Sequence, residues 1–310
     1  MGGRIARALA LEPRAGSVAP AAPGRLARLY TLTKPKVVRL VVFCAVIGML
    51  LAGRQAFDVV RFVCATAGIW LVASAGAVFN CILERSVDAR MSRTMRRLSA
   101  DGHLSIGASS AFGTALCATG CGVLWLGVNG LTLALTMATF VGYALLYTLW
   151  LKPSTPQNIV IGGAAGAMPP VLGWAAMRGD VGIEAWILWL IIFLWTPPHF
   201  WALALYRLDD YRRSGLPMLP ITHGSLHTRS AMLAYSIALF VATLLPLAVG
   251  MSGGVYAVFA VPLGAGFVFR VWQLRQSYSD ALARRIFRYS ILYLAVLFAA
   301  LLVDRALRGW

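Results

Sequence analysis

An amide and two carboxylates follow one another at helical spacing where a long apolar run ends. Asn80, Glu84 and Asp88 lie four residues apart, so on a helix they form one stripe. Oxygen ligands of this kind suit Mg²⁺, and the arginines that follow, among them Arg93 and Arg97, suit phosphate oxygens. The segment therefore predicts a site for a metal ion and a diphosphate at a membrane face.

A second acidic segment follows a later apolar run. Asp209 and Asp210 are adjacent, so on a helix one of them is expected to face the site and the other to face solvent. Gly215, Pro217 and Pro220 predict that this helix ends in a rigid loop. An even number of predicted membrane crossings separates the two acidic segments. They are therefore expected on the same side, where they could hold two metal ions around one diphosphate.

The composition is that of a membrane protein. Of the 310 residues, 59% are hydrophobic and only 13% are charged, and the mean hydropathy is +0.74, whereas soluble domains carry about 25% charged residues. The apolar runs are long enough for helices rather than barrel strands. We predict an all-α membrane protein, a bundle of about nine transmembrane helices over residues 37–53, 59–82, 106–128, 131–151, 158–176, 185–206, 229–251, 254–276 and 286–304.

The basic residues are distributed unevenly between the two sides of this bundle. The net charge is +17, and 23 of the 28 Lys and Arg residues fall on the side of the N-terminus. This bias predicts a cytoplasmic N-terminus and an outside C-terminus, with the excess charge facing anionic headgroups rather than nucleic acid. Residues 1–33 are rich in Arg, Ala and Pro, which predicts a disordered basic cytoplasmic tail. A mitochondrial presequence has a similar composition and is the alternative.

Two lysines each admit two interpretations. Lys34 precedes the first predicted span, and Lys152 is the only cation in the short turn between the fourth and fifth spans. Either can anchor its helix at the membrane interface or bind a phosphate as a point charge.

The sixth span contains a histidine among prolines and aromatic residues. Pro197 and Pro198 are expected to break the helical hydrogen bonds, so that carbonyl groups line a cavity. His199 is then either a hydrogen-bonded packing residue or a group that contacts a tetrapyrrole or handles protons. Small residues around Gly162 and Gly163 predict close helix approach or a groove for an apolar ligand.

Four motifs carry a resemblance that extends from Thr33 to Asp304. They are Asp88-Ala-Arg-Met-Ser-Arg-Thr94, Thr155-Pro-Gln-Asn158, Pro198-His-Phe-Trp201, and Asp210-Tyr211 with Pro217-Met-Leu-Pro220. With them the chain resembles the protoheme IX farnesyltransferases, a branch of the intramembrane prenyltransferase superfamily. The sequence departs from that family's pattern at three positions. Glu84 stands in place of an aspartate, Ser86 in place of another aspartate, and Leu98 in place of a proline.

The resemblance implies a single prenyltransferase domain over residues 34–310. It would transfer a farnesyl group from farnesyl diphosphate to a vinyl group of heme b, giving heme O and diphosphate, with Mg²⁺ or Mn²⁺ as cofactor. The implied metal ligands are Asn80, Glu84, Asp88 and Asp210. The implied diphosphate-binding residues are Lys34, Arg93, Arg97 and Lys152, and the heme-binding residues are His199, Arg207 and Arg212.

The same resemblance implies a multi-pass protein of the bacterial inner membrane, with the mitochondrial inner membrane as the alternative. Membrane lipid surrounds such a protein, and its partners would be a downstream heme A synthase or oxidase assembly factors. Three other functions compete with this interpretation. They are a prenyltransferase of an aromatic acid or quinone precursor, a secondary transporter, and a structural assembly factor. Transporter sites lie near the midplane of the membrane, whereas the acids here cluster at one face.

The first prediction concerns Asp88. Replacing it with alanine removes a metal ligand without disturbing an apolar span, so Asp88→Ala is expected to insert and fold while losing farnesyl transfer. Mass spectrometry of the heme product, with the purified variant beside the parent protein, measures this. Normal turnover by the variant would contradict the assignment of Asp88 to the metal ion.

Overall fold

The computed structural model describes residues 24–53, 57–85 and 105–309, and helices dominate these ranges. The α-helices are α1 (Arg25–Leu32), α2 (Pro35–Ala52), α3 (Val59–Leu83), α4 (Ile106–Gly127), α5 (Gly130–Val141), α6 (Asn158–Gly166), α7 (Pro169–Arg178), α8 (Ile183–Tyr206), α9 (Leu208–Ser214), α10 (Leu219–Thr222), α11 (Gly224–Ala248), α12 (Gly254–Gln276) and α13 (Asp280–Leu307). After α5 the chain continues as a π-helix, Gly142–Leu151, and one further α-helical turn, Lys152–Ser154.

The predicted number of spans is confirmed. Within the described ranges, nine helical segments are long and apolar enough to cross a membrane. One of them runs from α5 through the π-helix to Ser154, and another joins α6 and α7. Hydropathy located the spans well because a membrane helix must satisfy all its backbone hydrogen bonds internally over a fixed apolar length.

The predicted disordered tail extends too far along the chain. Residues 1–23 lie outside the described residues, but Arg25–Leu32 forms helix α1. The helix is amphipathic: Leu32 is buried, and Leu29 packs with it against Val78 and Cys81 of α3. The Arg-rich composition concealed this short apolar face.

Pro197 and Pro198 do not end helix α8, although each lacks the N–H group that would donate to the preceding turn. Helix α8 continues through both prolines, and both are buried. Membrane helices tolerate proline when neighbouring helices compensate for the freed backbone groups. Trp201, one turn further along α8, is also fully buried in the largest core cluster, which contains residues of α11, α12 and α13 as well.

Glycines allow α2 and α7 to approach to backbone contact. A Cβ atom at Gly48 would lie 2.1 Å from the carbonyl oxygen of Pro170. A Cβ atom at Gly173 would lie 1.9 Å from the carbonyl oxygen of Ala45. This contact fixes α2, and with it Lys34 just before α2, against the fifth span.

The far end of the bundle is closed by a buried carboxylate. Asp304 of α13 is 1% exposed, and its oxygens accept hydrogen bonds from the backbone N–H groups of Gly253 (2.6 Å) and Tyr256 (3.2 Å) at the start of α12. A carboxylate is favourable at the positive end of a helix dipole. Asp304 therefore joins the last two spans and is distant from both acidic segments.

The contact between α2 and α7 gives the second prediction. Gly173→Ala is expected to lower the free energy of unfolding by roughly 1–3 kcal/mol, because its methyl group would collide with the backbone of α2. Gly166→Ala is the control in the same span, since a Cβ atom there meets nothing within 4 Å. Thermal unfolding in detergent compares the two variants. Equal stability of both would contradict the described contact.

Candidate active site

Lys34 begins the site in a strained backbone conformation. Its φ of 48° and ψ of 58° are left-handed, and it is the one residue other than glycine with positive φ in the part of the chain that the structure describes. Strain of this kind in a residue with a Cβ atom is often found at functional sites. Pro35 follows as the first residue of α2, and the ammonium group of Lys34 donates a hydrogen bond to Oδ1 of Asn80.

Asn80 connects this lysine to the π-helix. It lies in the last turn of α3 and is 2% exposed. Its Nδ2 donates to Oγ1 of Thr148 at 3.2 Å, and that hydroxyl donates to the carbonyl of Tyr143 at 2.9 Å. The π-helix brings Thr148 into this contact, and π-helical turns inside α-helices frequently mark functional positions. Both polar ends of the Asn80 side chain are thereby held.

Glu84 forms the second contact with a lysine, and this one is an ion pair. It is the C-cap residue of α3, and its carboxylate accepts a hydrogen bond from the ammonium group of Lys152. The side chains of Glu84 and Lys152 are only 10% and 22% exposed. Lys152 is also held through its carbonyl, which accepts a hydrogen bond from Nδ2 of Asn158 at 3.3 Å. The predicted site residues Lys34, Asn80, Glu84 and Lys152 are therefore brought together as two adjoining lysine contacts.

Helix α6 connects this group to the second acidic segment. The ring of Tyr147 packs over Gly162 of α6, where a Cβ atom would lie 2.7 Å from the ring, which confirms the predicted close approach at the glycine-rich segment. Ile159 of α6 packs against a buried cluster that contains Tyr211, the residue after Asp210. The two acidic segments therefore lie at the same end of the bundle, hereafter the polar end.

The structure distinguishes Asp210 from its neighbour. Asp210 is buried, and its carboxylate pairs with Arg207 at 3.6 Å and with Arg213 at 2.5 Å. The side chain of Asp209 is 85% exposed and pairs with Arg212 at 3.3 Å. Asp210 is thus the member of the pair that faces inward, as the sequence required of one of them.

His199 lies in an aromatic sandwich between α8 and α13. Its ring stacks on Trp195 and Phe287 with centroid distances of 4.2 and 4.5 Å. Its Nδ1 lies 2.6 Å from Oγ of Ser290, which also lies 2.8 Å from the carbonyl of Phe287. The Ser290 hydroxyl has one proton and can donate it either to that carbonyl or to Nδ1 of His199, so both neutral tautomers of His199 are compatible with this contact. The hydrogen-bonded packing residue expected from sequence is therefore present.

Three arginines surround the end of α8. Arg207 and Arg284 lie 6.0 and 5.2 Å from the ring of Tyr206, and Tyr206 in turn contacts Phe287 edge-on at 6.2 Å. Arg212 pairs with exposed Asp209 instead. An aromatic path therefore leads from His199 to the guanidinium groups of Arg207 and Arg284.

Some predicted ligands cannot be located. Asp88, Arg93 and Arg97 lie outside the described residues. Among the residues that are described, no group of three or more His, Cys, Asp or Glu side chains lies close enough together to hold a metal ion. Amide oxygens such as Oδ1 of Asn80 can also ligate a hard cation beside carboxylates.

Sequence reasoning missed four residues around these groups: Thr148, Asn158, Ser290 and Arg284. Thr148 precedes Lys152 by four residues, a helical spacing that placed it on the same face. Asn158 belongs to the motif Thr155-Pro-Gln-Asn158, but its spacing from other polar residues indicates no role. Ser290 and Arg284 lie far along the chain, and no local spacing connects them with α8.

The bundle and its polar end are those of a membrane-embedded prenyltransferase. Residues 41–301 match the UbiA prenyltransferase family, and the chain belongs to this family.

Curated proteins similar to this chain share one name. The chain is 59% identical to the protoheme IX farnesyltransferase of Methylibium petroleiphilum, covering 91% of this chain and 92% of that protein. It is also 59% identical to the protein of that name from Polaromonas naphthalenivorans, covering 92% and 94%.

Solved structures share the fold. A structure concerned with digeranylgeranylglyceryl phosphate synthase in membranes gives a TM-score of 0.77 at 17% identity and covers 90% of this chain and 98% of that chain. A UbiA homolog from Archaeoglobus fulgidus bound to GPP and Mg²⁺ gives 0.63 at 14% identity, covering 88% and 99%.

The third prediction compares the two ion pairs. Lys152→Met leaves the nearly buried Glu84 carboxylate without its ammonium partner, so the free energy of unfolding is expected to fall by about 1–3 kcal/mol. Adding Glu84→Gln is expected to recover part of that loss. Arg212→Met, in the exposed pair with Asp209, is the control and is expected to cost about 0–1 kcal/mol. Denaturation in detergent measures the free energy of unfolding of the parent protein and of the three variants. Equal losses in Lys152→Met and Arg212→Met would contradict the burial of Glu84.

Proposed function

We propose that the chain transfers the farnesyl group of farnesyl diphosphate to a vinyl group of heme b, giving heme O and diphosphate. The observation that carries this proposal is the polar end, where Lys34 and Lys152 hold Asn80 and Glu84. Two ammonium groups beside hard oxygen ligands are suited to a diphosphate and a divalent cation. The relatives named protoheme IX farnesyltransferase support heme b as the acceptor.

The side chains fit Mg²⁺, with Mn²⁺ as a substitute. Asn80 and Glu84 contribute amide and carboxylate oxygens, and Asp210 contributes a buried carboxylate from the second acidic segment. These are hard oxygen donors, which Mg²⁺ prefers. Asp88 is the further ligand that the sequence predicts. When bound, the cation would neutralise charge on the diphosphate and assist its departure.

The lysines have an additional role in this proposal. Before substrate binds, the ammonium groups of Lys34 and Lys152 satisfy the oxygen atoms of Asn80 and Glu84, which would otherwise be nearly buried acceptors without partners. A bound diphosphate would offer phosphate oxygens to Lys34 and Lys152 in place of these partners. The oxygens of Asn80 and Glu84 would then be available to hold the cation. Arg93 and Arg97, predicted from the sequence, would contribute further positive charge.

The chemistry is then electrostatic assistance of leaving-group departure. The bond between C1 of the farnesyl group and the diphosphate oxygen breaks, and both bonding electrons leave with the diphosphate. Lys34 and Lys152 stabilise the negative charge that accumulates on this leaving group. The vinyl group of heme b attacks the allylic cation, water adds to the resulting cation, and a proton is lost. The product carries a hydroxyethylfarnesyl group.

The region between α8 and α13 supports a place for the porphyrin. With Nδ1 donating to Ser290, Nε2 of His199 would be unprotonated, which is the form that ligates iron. Arg207 and Arg284 on the ring of Tyr206 would bind the propionate carboxylates, with Arg212 as a more exposed contributor. The rise of α8 places His199, the proposed iron ligand, about 10 Å from Tyr206, beside which the proposed propionate-binding arginines lie.

The location and partners follow from this activity. The bacterial relatives and the nine apolar helices found within the described residues support a multi-pass protein of the bacterial inner membrane, with the polar end facing the cytoplasm. Heme O would pass to a downstream heme A synthase or to oxidase assembly factors.

The fourth prediction tests the reaction. The purified protein, given farnesyl diphosphate, heme b and Mg²⁺, is expected to form a product whose mass equals that of heme b plus one farnesyl group and one hydroxyl group. Excess chelator is expected to abolish this product. Lys152→Ala is expected to lower kcat/KM by about tenfold to a thousandfold, because one cation of the leaving-group site is lost.

The acceptor is tested separately. Replacing heme b with 4-hydroxybenzoate keeps the diphosphate chemistry and changes only the second substrate. A prenylated 4-hydroxybenzoate, with no farnesylated heme, would overturn the proposed acceptor and leave the prenyltransferase assignment standing. Absence of diphosphate release with either acceptor would overturn the proposed function itself.

A further inference from the structure

Asn158 is a buried amide with one polar atom unused. It is the first residue of α6 and is 1% exposed. Its Nδ2 donates to the carbonyl of Lys152 at 3.3 Å, while its Oδ1 is buried and has no hydrogen-bond partner among the described residues. Since the Lys152 carbonyl can only accept, the amide orientation is fixed, and the unpaired atom is an acceptor.

An unpaired buried acceptor requires a physical explanation. Burial of a polar oxygen without a partner is unfavourable by an amount comparable to a lost hydrogen bond, and such groups are uncommon in folded proteins. A ligand that supplies the missing partner would remove this penalty. Asn129, at the far end of the bundle, shows the contrasting case. Its Oδ1 accepts from the N–H of Thr132 and its Nδ2 donates to the carbonyl of Ala175.

Asn158 lies between the two acidic segments. On one side, the residue that it holds, Lys152, donates to the carboxylate of Glu84. On the other side, the next residue, Ile159, packs against a buried cluster that contains Tyr211, the neighbour of Asp210. The unpaired oxygen therefore belongs to the polar end and not to a remote part of the core.

The chemistry of the atom limits what can bind there. An amide oxygen cannot donate, so it repels the deprotonated oxygens of a diphosphate. It attracts a cation or an O–H donor, and the Glu84 carboxylate, which pairs with the Lys152 ammonium, adds negative charge at the polar end. We propose that Oδ1 of Asn158 binds the hydrated divalent cation of the polar end, directly or through one of the cation's water molecules. Mg²⁺ characteristically retains several waters in such sites. This inference rests on the proposed function and adds a ligand from the fifth span to it.

The test measures cation binding without turnover. Mn²⁺ is titrated into the purified full-length protein in detergent, alone and with inorganic diphosphate, and free Mn²⁺ is followed by electron paramagnetic resonance. Asn158→Ala is expected to weaken Mn²⁺ binding about tenfold to a hundredfold. Asn158→Asp keeps an oxygen at the position and adds charge, so it is expected to bind Mn²⁺ at least as tightly as the parent protein. Asn129→Ala is the matched control and is expected to lower thermal stability with unchanged Mn²⁺ affinity.

The outcomes separate the explanations. Unchanged Mn²⁺ affinity in Asn158→Ala, with or without lower thermal stability, would overturn the inference and leave Asn158 as a support for the turn at Lys152, its oxygen facing an internal water. If Asn158→Ala does not fold, Asn158→Asp and Asn158→Ser decide the question. Weaker Mn²⁺ binding in both of these variants would also contradict the inference. A parent protein that binds Mn²⁺ through Asn158 but makes no farnesylated heme would overturn the proposed function and not this ligand.

Discussion

The structure depends on the pairing of charge at the edge of an apolar bundle. A carboxylate that is nearly buried at the end of a membrane helix is costly unless an opposite charge meets it. Glu84 is such a group, and Lys152 meets it from a different span. In the same way, the ammonium group of Lys34 donates a hydrogen bond to the buried amide of Asn80. These two contacts connect the start of α2 and the end of the π-helix to the end of α3 at the polar end.

The helices around this end explain how the lysines are kept in place. Backbone contact at Gly48 and Gly173 fixes α2 against α7, and the strained conformation of Lys34 directs the chain into α2 immediately afterwards. The π-helix presents Thr148 to Asn80, and the Tyr147 ring packs against Gly162 of α6. At the opposite end of the last two spans, the Asp304 carboxylate accepts a hydrogen bond from the N–H of Gly253 and joins the two helices. The site is therefore supported by packing that lies mostly within the apolar part of the bundle.

The sequence predicted most of the fold because hydropathy and helix length are local properties in a membrane. The nine spans of the described ranges and an inward-facing acid in the Asp209–Asp210 pair followed from hydropathy and spacing. For Lys34 and Lys152 the sequence predicted phosphate binding or interfacial anchoring, and their contacts with Asn80 and Glu84 emerged only from the structure. The errors came from tertiary effects. Packing of α1 against α3 ordered residues assigned to the tail, and burial of Pro197 and Pro198 preserved α8. Ser290 and Asn158 were missed because their roles depend on partners brought together only by folding.

The central claim is that Lys34 and Lys152 exchange Asn80 and Glu84 for the diphosphate when substrate binds. The most direct measurement is a structure of the protein with Mg²⁺ and a nonhydrolysable farnesyl diphosphate analogue. We predict that both ammonium groups contact phosphate oxygens and that Asn80 and Glu84 face the cation, directly or through its waters. Persistence of the Lys34–Asn80 and Lys152–Glu84 contacts, with the diphosphate bound elsewhere, would contradict the account.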